Sequence, residues 1–197
     1  MSDLDLLQDV PLNKAYRLLN LGATALIGSA CEGKEDVMPA TWNCPLDLDP
    51  CKATVVIDKS HYTRPLMEKS GYFSISVPTV KIVGQVMKLG SVSKNDDPLK
   101  LEHSGATFFK LPGFDIPLVE GCAAHLIFKI VPEEHNQQAY DLFIGECIKA
   151  VADSRIFRQG HYFYDENTKD LRTLHYVAGG HFYALGDEIM LSEYGMD

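Results

Sequence analysis

Apolar positions along the chain recur mostly with a period of two, which is the pattern of half-buried strands. Runs of this kind alternate with turn-forming residues through most of the sequence. The last two runs are long, and we expect them to pair as antiparallel neighbours. The predicted strands cover residues 23–31, 37–43, 52–58, 72–78, 106–111, 121–134 and 139–153.

Polar interruptions define the turns between these strands. Gly33, with charged residues on both sides, predicts a hairpin turn after the first strand. Pro45 and Pro50 interrupt the chain after the second strand, because proline cannot donate a ladder hydrogen bond. The run 52–58 is nearly continuous in apolar character, which predicts a strand buried on both faces.

Two short segments have helical spacing instead. Residues 63–71 predict a helix with Thr63 as its N-cap, a proline in its first turn and Gly71 just past its end. Residues 80–91 place apolar side chains at helical intervals and end near Gly90. Both helices are therefore expected to be short.

Many strands, few helices and no regular strand–helix alternation predict a mostly β fold, for which a closed or split barrel fits best. No linker or low-complexity stretch divides the 197 residues, so we expect one domain over 1–197. The segment 171–189 mixes aromatic residues with Gly179 and Gly180. Its pattern leaves two alternatives open, an extended arm and a core strand.

Composition and charge limit the binding partners and the cellular location that we expect. The formal charge of −9 argues against nucleic acid as a partner, since phosphate-backbone binding depends on dense lysine and arginine. The acidic N-terminus lacks a signal segment, and no apolar run approaches the roughly 18 residues of a membrane helix. We therefore expect a cytoplasmic protein with no membrane partner.

The cysteines and histidines show no metal-binding spacing, so no metal site is predicted. Five cysteines without a CxxC pair suit reduced thiols better than a disulfide framework. Cys44 and Cys51 nevertheless flank the Pro-rich bend and could meet across it. His125 lies in an apolar run, where we expect a packed or hydrogen-bonded histidine.

Familiar catalytic motifs are absent, which removes Rossmann dehydrogenases, P-loop NTPases, zincins and α/β-hydrolases as good candidates. What stands out is DKSHYTR (58–64), which crowds basic and hydroxyl side chains beside a helix start. Such a position attracts an anion such as phosphate. The same residues are also typical of a polar turn with a good helix cap, and spacing alone does not decide between the two.

Trp42, the only tryptophan, lies between Thr41 and Asn43. A large aromatic side chain usually fills a core. Its polar neighbours could instead direct hydrogen bonds at the edge of a planar heterocycle such as a flavin, whose redox state depends on such bonds.

Together these segments resemble the flavin reductase-like family, in particular its flavoredoxin branch. The resemblance covers about residues 15–185, and its specificity comes from the order and spacing of several motifs. The motifs are Asp36-Val37-Met38, Thr41-Trp42, LDLDP (46–50), KATVVI (52–57), KSHYT (59–63), SGYFSISVP (70–78), LKLEHSGATF (99–108), PLVEGCAAHLIFKI (117–130) and LFIGECIKAV (142–151).

This resemblance implies a homodimeric, FMN-binding split β-barrel in which the tryptophan motif meets the flavin ring and the next loop meets its phosphate. The intervening strand would hold the two clusters apart. The residues implied at the ring are Thr41, Trp42, Asn43 and Cys44, and those implied around the phosphate are Lys59, Ser60, His61, Tyr62 and Thr63, with help from Ser91 and Ser93.

The implied activity is that of an oxidoreductase that passes electrons from NAD(P)H or a protein donor through FMN to an acceptor. One departure concerns NAD(P)H, because Tyr140 stands where family reductases often carry a histidine placed near the nicotinamide. Two alternatives stay open: an FMN electron carrier that does not use NAD(P)H directly, and a ligand-binding barrel without redox activity.

Cys44 has two interpretations under this resemblance. Its thiol could perturb the flavin or join Cys51 in redox chemistry, which would require a lowered thiol pKa. We favour the simpler interpretation, in which Cys44 is a small apolar side chain that fills space beside the ring.

Overall fold

A computed structural model of the protein describes residues 8–189. Seven of its strands belong to one sheet: β1 (Ala25–Cys31), β2 (Lys34–Ala40), β3 (Asn43–Leu48), β4 (Cys51–Val56), β5 (Tyr72–Pro78), β8 (Cys122–Val131) and β9 (Leu142–Ala152). All pair antiparallel, in the order β2-β1-β5-β8-β9-β4-β3. The two outermost strands, β2 and β3, are consecutive in the chain and are joined by Thr41 and Trp42 alone. The sheet must therefore curl until its two edges meet at this junction.

Smaller elements surround this sheet. They are α1 (Tyr16–Leu19), α2 (Thr63–Ser70), α3 (Val83–Ser91), α4 (Lys100–His103), α5 (Glu134–Tyr140), β6 (Phe108–Phe109), β7 (Leu118–Val119), β10 (Phe157–Arg158), β11 (His161–Tyr162), β12 (Leu174–Ala178), β13 (His181–Ala184), and 3-10 turns at Leu12–Lys14, Val80–Ile82 and Lys169–Leu171. The six additional strands form three two-stranded pairs, and one of these pairs is the C-terminal hairpin of β12 and β13. The helices are short, as the sequence predicts.

The main core lies inside the curled sheet. Phe73 and Phe128 stack there with ring centroids 5.1 Å apart, and Phe143 is fully buried beside them. Gly145 lies against this pair, since a β-carbon on it would come within 2.6 Å of the Phe73 ring. A second core forms where Val86 and other apolar residues of α3 pack against strands β1 and β2.

Helix α2 closes the main core with Met67. It ends at Gly71, whose φ of 76° is the left-handed conformation that glycine adopts without strain. The prediction that Thr63 is the N-cap is wrong. Tyr62 precedes the first helical residue, and no side chain caps the helix, because the Thr63 hydroxyl donates instead to Asp36 on β2.

Three other sequence predictions need correction. Strand β3 continues through Pro45, which an edge strand tolerates because one side of its backbone has no partner. Strand β4 is buried on one face only, through Ala53 and Val55. Helix α5 was not predicted, and its segment EHNQQAY has no buried residue and hence no apolar pattern.

The C-terminal segment is a hairpin outside the main sheet, with Leu174 buried in the second core. Two isolated bridges, Ala23 to His175 and Thr79 to Thr173, attach this segment to the body of the protein. The segment is therefore neither a free arm nor a strand of the main sheet.

Candidate functional site

A cavity of about 640 Å³ opens beside the junction of β2 and β3. This volume falls within the roughly 300–1,000 Å³ of typical small-ligand sites. The residues that line it come from β2 and the β2–β3 junction, the residue before β1, the end of β4 and the loop before α2, the end of α3 and the loop after it, helix α4, the end of α5, and the C-terminal hairpin. They are Thr24, Asp36, Met38, Pro39, Ala40, Thr41, Trp42, Val56, Asp58, His61, Tyr62, Val86, Met87, Leu89, Gly90, Ser91, Val92, Ser93, Lys100, Tyr140, Asp141, Tyr176 and Phe182.

One end of the cavity is polar and is built from two loops that contact each other. The Asn95 side chain donates to the Ser60 carbonyl at 3.1 Å, and the Lys94 amino group lies 5.8 Å from the centroid of the Tyr62 ring. These contacts bring His61 and Tyr62 together with Ser93 along one wall. This end of the cavity is therefore rich in hydrogen-bonding groups.

Another part of the wall, which we call the aromatic end, is lined by aromatic side chains. Trp42 is contributed by the β2–β3 junction, whereas Tyr176 and Phe182 are contributed by the C-terminal hairpin, with their ring centroids 4.9 Å apart. Tyr16 of α1 meets the Trp42 ring edge-on at 6.2 Å. This arrangement suits a flat aromatic ligand, because ring faces and edges attract one another at such distances.

A buried ion pair also forms part of the cavity wall. Lys100 Nζ lies 3.1 Å from Asp36 Oδ1, and both side chains are almost fully buried. Asp36 Oδ2 also accepts the Thr63 hydroxyl at 2.7 Å. The two charges therefore compensate each other, and Lys100 is not a free cation for an anionic ligand.

Two further carboxylates line the cavity. Hydrogen bonds from the amide and hydroxyl of Ser60 lower the pKa of Asp58, which keeps it charged at neutral pH. Asp141 is paired with the buried Arg64 guanidinium. An anionic group in the cavity would avoid Asp58 and is better received near Tyr62 and Ser93.

Three buried polar atoms in the cavity wall have no hydrogen-bond partner within residues 8–189: Thr24 Oγ1, Asp36 Oδ1 and His61 Nδ1. Asp36 Oδ1 is compensated by its ion pair with Lys100, which leaves Thr24 Oγ1 and His61 Nδ1 without any partner. Buried polar groups are nearly always satisfied in native proteins, so such atoms in a cavity call for a ligand or water. The cavity therefore fits an organic molecule with an aromatic body and polar substituents.

The structure brings six of the eleven predicted site residues into the cavity wall: Thr41, Trp42, His61, Tyr62, Ser91 and Ser93. Their roles in ligand binding stay predictions. The Ser91 hydroxyl already donates to the Met87 carbonyl at 2.7 Å. The Ser93 oxygen accepts from the Asn95 amide at 3.1 Å, so the Ser93 hydroxyl proton is still available for donation to a ligand. Ser93 is therefore the better placed donor.

The other five predicted residues lie outside the wall and contact protein groups. Asn43 donates to the Ala23 carbonyl, and Lys59 donates to the Gln138 carbonyl at 2.8 Å. Ser60 is held by Asp58 and Thr63 by Asp36. Cys44 is exposed on edge strand β3, with its thiol 3.2 Å from the Pro45 carbonyl. It does not fill space in the cavity.

Several lining residues were missed by the sequence analysis. Asp36 and Lys100 are 64 residues apart, and no local pattern links them. Tyr176 and Phe182 carried a usable signal, because aromatic residues on both sides of a Gly179-Gly180 turn are typical of a hairpin with one apolar face.

Other site classes receive no support from the structure. Across residues 8–189, no group of three or more His, Cys, Asp or Glu side chains is arranged to hold a metal ion. In the same part of the chain, no helix combines the length and apolar character needed to span a membrane. Cys44 and Cys51 do not face each other across the β3–β4 hairpin, since their partners are Thr54 and Leu48.

Comparison with known proteins identifies the family. A model of the flavin reductase like domain matches residues 20–172. The uncharacterized protein YddH of Escherichia coli is 36% identical over 183 residues, which cover 91% of this chain and 95% of YddH.

Solved structures agree with this assignment. The crystal structure of an FMN-binding domain of a flavin reductases-like enzyme from Shewanella baltica is 48% identical, with a TM-score of 0.83 over 92% of this chain and 95% of that one. Flavoredoxin of Desulfovibrio vulgaris is 23% identical and shares the fold, with a TM-score of 0.70 over 86% of this chain and 89% of that one.

The prediction of a mostly β split barrel with a few short helices is confirmed, because the solved structures that share the fold are split-barrel proteins. The resemblance of the sequence motifs is confirmed as well. A family model that extends over most of the chain, together with a relative above one third identity along nearly its whole length, shows that this protein belongs to the flavin reductase-like family.

Proposed function

We propose that the chain binds FMN in the cavity and acts as a flavin-dependent oxidoreductase. The observation that carries this proposal is the pairing of an aromatic end with a polar end in one cavity of about 640 Å³. The 48% identical Shewanella baltica protein, which is described as FMN-binding, supports the choice of ligand.

The residues present fit FMN. The aromatic end, with Trp42, Tyr176 and Phe182, would hold the ring, and Thr24 Oγ1 would find the hydrogen-bond partner that the protein does not supply. Tyr62 and Ser93 would donate to the phosphate at the polar end. No uncommitted lysine or arginine lines the cavity within residues 8–189, so neutral donors would carry most of the phosphate recognition.

When bound, FMN would supply a ring that accepts a hydride or single electrons. The protein itself would bind and orient the ring and limit its contact with water. No side chain acts as a general acid or base in this proposal, because hydride transfer depends on face-to-face approach of the two rings. NAD(P)H is the proposed donor.

A second candidate is an FMN electron carrier that receives its electrons from a protein partner. Tyr140 favours this alternative, since it lies on the cavity wall where a histidine near the nicotinamide was expected from the family resemblance. Tyr140 is 62% exposed and packs edge-on against His135, with ring centroids 5.6 Å apart. A phenol in place of that imidazole would weaken nicotinamide docking relative to the family reductases.

We also propose a homodimer. Trp42 and Tyr140 line the cavity yet are 53% and 62% exposed, so the mouth carries large aromatic groups in contact with water. A second copy laid over the mouth would bury both and would exclude water from the ligand. Light scattering after gel filtration measures the mass in solution, and a monomer at micromolar concentration contradicts this part.

Two measurements test the proposal. The protein purified and titrated with FMN should show flavin absorption bands and release FMN on denaturation. A protein that stays colourless contradicts both redox functions and supports a binding barrel without redox activity.

Anaerobic mixing with NADH or NADPH then separates the two redox functions. Rapid bleaching of the flavin bands supports a reductase. Bleaching by dithionite or a reduced protein donor, but not by either nicotinamide, supports the carrier.

A further inference from the structure

We propose that Cys51 and Cys147 form a reactive thiol pair that small disulfides, such as oxidised glutathione, convert into a cross-strand disulfide. The site lies on strands β4 and β9 and uses no residue of the cavity wall. The proposal therefore does not depend on FMN binding.

The strand register places the two cysteines together. Strands β4 and β9 are antiparallel, with Lys52 opposite Glu146. Continuing that register by one residue sets Cys51 opposite Cys147. Directly opposed residues have β-carbons about 4.5–5.5 Å apart, and a disulfide needs about 3.5–4.5 Å, so a small approach of the two strands is sufficient.

Both cysteines are free thiols. Besides burial, Cys51 contributes to the raised pKa of Cys147, in agreement with the opposed positions that the register gives them. Lys52 marks the start of the regular β4–β9 pairing, so Cys51 lies at its end, where the strand has the freedom to adjust. The register between β8 and β9 shifts opposite Ile127 and Phe128, which leaves Ile148 of β9 as an unpaired bulge residue directly after Cys147 and adds to this freedom.

The two thiols have different environments, which assigns their roles. Cys51 is exposed, whereas Cys147 is half-buried. Burial, and to a lesser extent the neighbouring Cys51, raises the pKa of Cys147. Cys51 is therefore the thiol that meets an external disulfide first, and Cys147 is the one that resolves the product.

The exchange is balanced in two steps. The Cys51 thiolate attacks one sulfur of the small disulfide, forms a mixed disulfide and releases one small thiolate. Cys147 then loses its proton to solvent and attacks the Cys51 sulfur, which releases the second small thiol. The protein loses two electrons and two protons, and the small disulfide gains both.

The other cysteines offer internal controls. Cys44 is as exposed as Cys51, but Thr54 stands opposite it. Cys122 is buried, and burial raises its thiol pKa strongly. Neither has the combination of exposure and a facing thiol.

The test treats the folded protein with oxidised glutathione, blocks the remaining thiols with iodoacetamide under denaturing conditions, and maps the peptides by mass. In the wild type and in Cys44→Ser, we expect a peptide that links Cys51 to Cys147, with no glutathione retained at Cys51. In Cys147→Ser, the reaction should stop with one glutathione on Cys51. In Cys51→Ser, modification of Cys147 should slow by at least about tenfold.

A wild type that keeps glutathione on Cys51 while Cys147 is alkylated overturns the proposal. So does a bridge from Cys51 to another cysteine or to a second chain. The wild-type peptide map shows whether the Cys51–Cys147 bridge forms even if a serine variant fails to fold. Dissolving the protein in urea before oxidation should replace this single bridge by a mixture of disulfide pairings.

Discussion

The hydroxyl of Thr63 donates a hydrogen bond of 2.7 Å to Oδ2 of Asp36, and both residues are buried. This bond ties the first turn of α2 to strand β2 and places Asp36 for its ion pair with Lys100. Thr63, which was expected to cap its own helix and to bind a phosphate, therefore stabilises the cavity wall through Asp36.

Replacing Thr63 by Val should reduce the free energy of unfolding by about 1–3 kcal/mol, because a buried carboxylate would lose a hydrogen bond without a substitute. Urea unfolding measures this change. Thr54→Val is the matched control, since its hydroxyl bond of 3.3 Å lies at the surface and its loss should cost about 0.5 kcal/mol or less. Equal losses in the two variants would contradict the structural role of Thr63.

Replacing Gly145 by Ala should destabilise the protein by about 1–3 kcal/mol, because the new methyl group would meet the Phe73 ring at 2.6 Å and the Phe128 β-carbon at 2.7 Å. Gly84→Ala is the control, because a methyl group added there would meet no atom within 4 Å and alanine favours a helix. In thermal and urea unfolding, the transition midpoint should fall for Gly145→Ala and rise for Gly84→Ala. A Gly145→Ala variant as stable as the wild type would refute this packing.

The pH dependence of stability should reflect His125. Burial lowers the pKa of His125 to about 4, and Ser76 hydrogen-bonds its ring at 2.8 Å. The unfolded chain therefore binds a proton at a higher pH than the native protein. The contribution of neutral His125 to the free energy of unfolding is fully present above the unfolded pKa of roughly 6.5. It is lost as the pH drops towards 4, by up to about 3 kcal/mol.

Urea unfolding at several pH values tests this prediction. His125→Gln should show a smaller loss between neutral pH and pH 4 than the wild type, although it starts from a lower stability. His181→Gln, at an exposed position, should retain the wild-type slope. An unchanged slope in His125→Gln would mean that other groups cause the acid sensitivity.

The polar end of the cavity is tested by Ser93→Ala. If this hydroxyl donates to the FMN phosphate, its loss should weaken FMN binding by about 1–3 kcal/mol and leave riboflavin, which lacks the phosphate, nearly unaffected. Fluorescence titration with both ligands measures the difference. Ser60→Ala should affect neither ligand strongly, because Asp58 already holds that hydroxyl at 2.7 Å. Equal losses of affinity for FMN and riboflavin would mean that the phosphate does not bind at Ser93.

Cys44→Ala should be silent in flavin binding and turnover, because Cys44 is exposed on β3 and does not line the cavity. Stopped-flow reduction of the FMN-loaded variant checks the rate. A drop in turnover of more than about tenfold with FMN still bound would assign about 1.4 kcal/mol of barrier lowering to this thiol.

The sequence by itself determined the strand content and most strand positions. The alternation in 72–78 and 121–134 follows from one rule, that successive side chains point to opposite faces of a sheet. The end of α2 was equally local, because Gly71 adopts a left-handed φ that other residues avoid. Segments without an apolar pattern, such as α5, gave no comparable signal.

The family motifs also located part of the cavity, since Trp42, His61 and Tyr62 line it. What they could not locate was the partner of each polar group. The sequence of 59–63 suggests a set of free donors, yet Lys59, Ser60 and Thr63 are bound to other parts of the protein.

Only the tertiary structure decided these partnerships. Asp36 meets Lys100, Tyr176 reaches the cavity from the C-terminal hairpin, and the β4–β9 register sets Cys51 opposite Cys147 rather than Cys44. Local periodicity states which side of a strand a residue occupies, but not which distant strand or loop lies against it. That choice depends on strand order and register, which are set by the packing of the whole sheet.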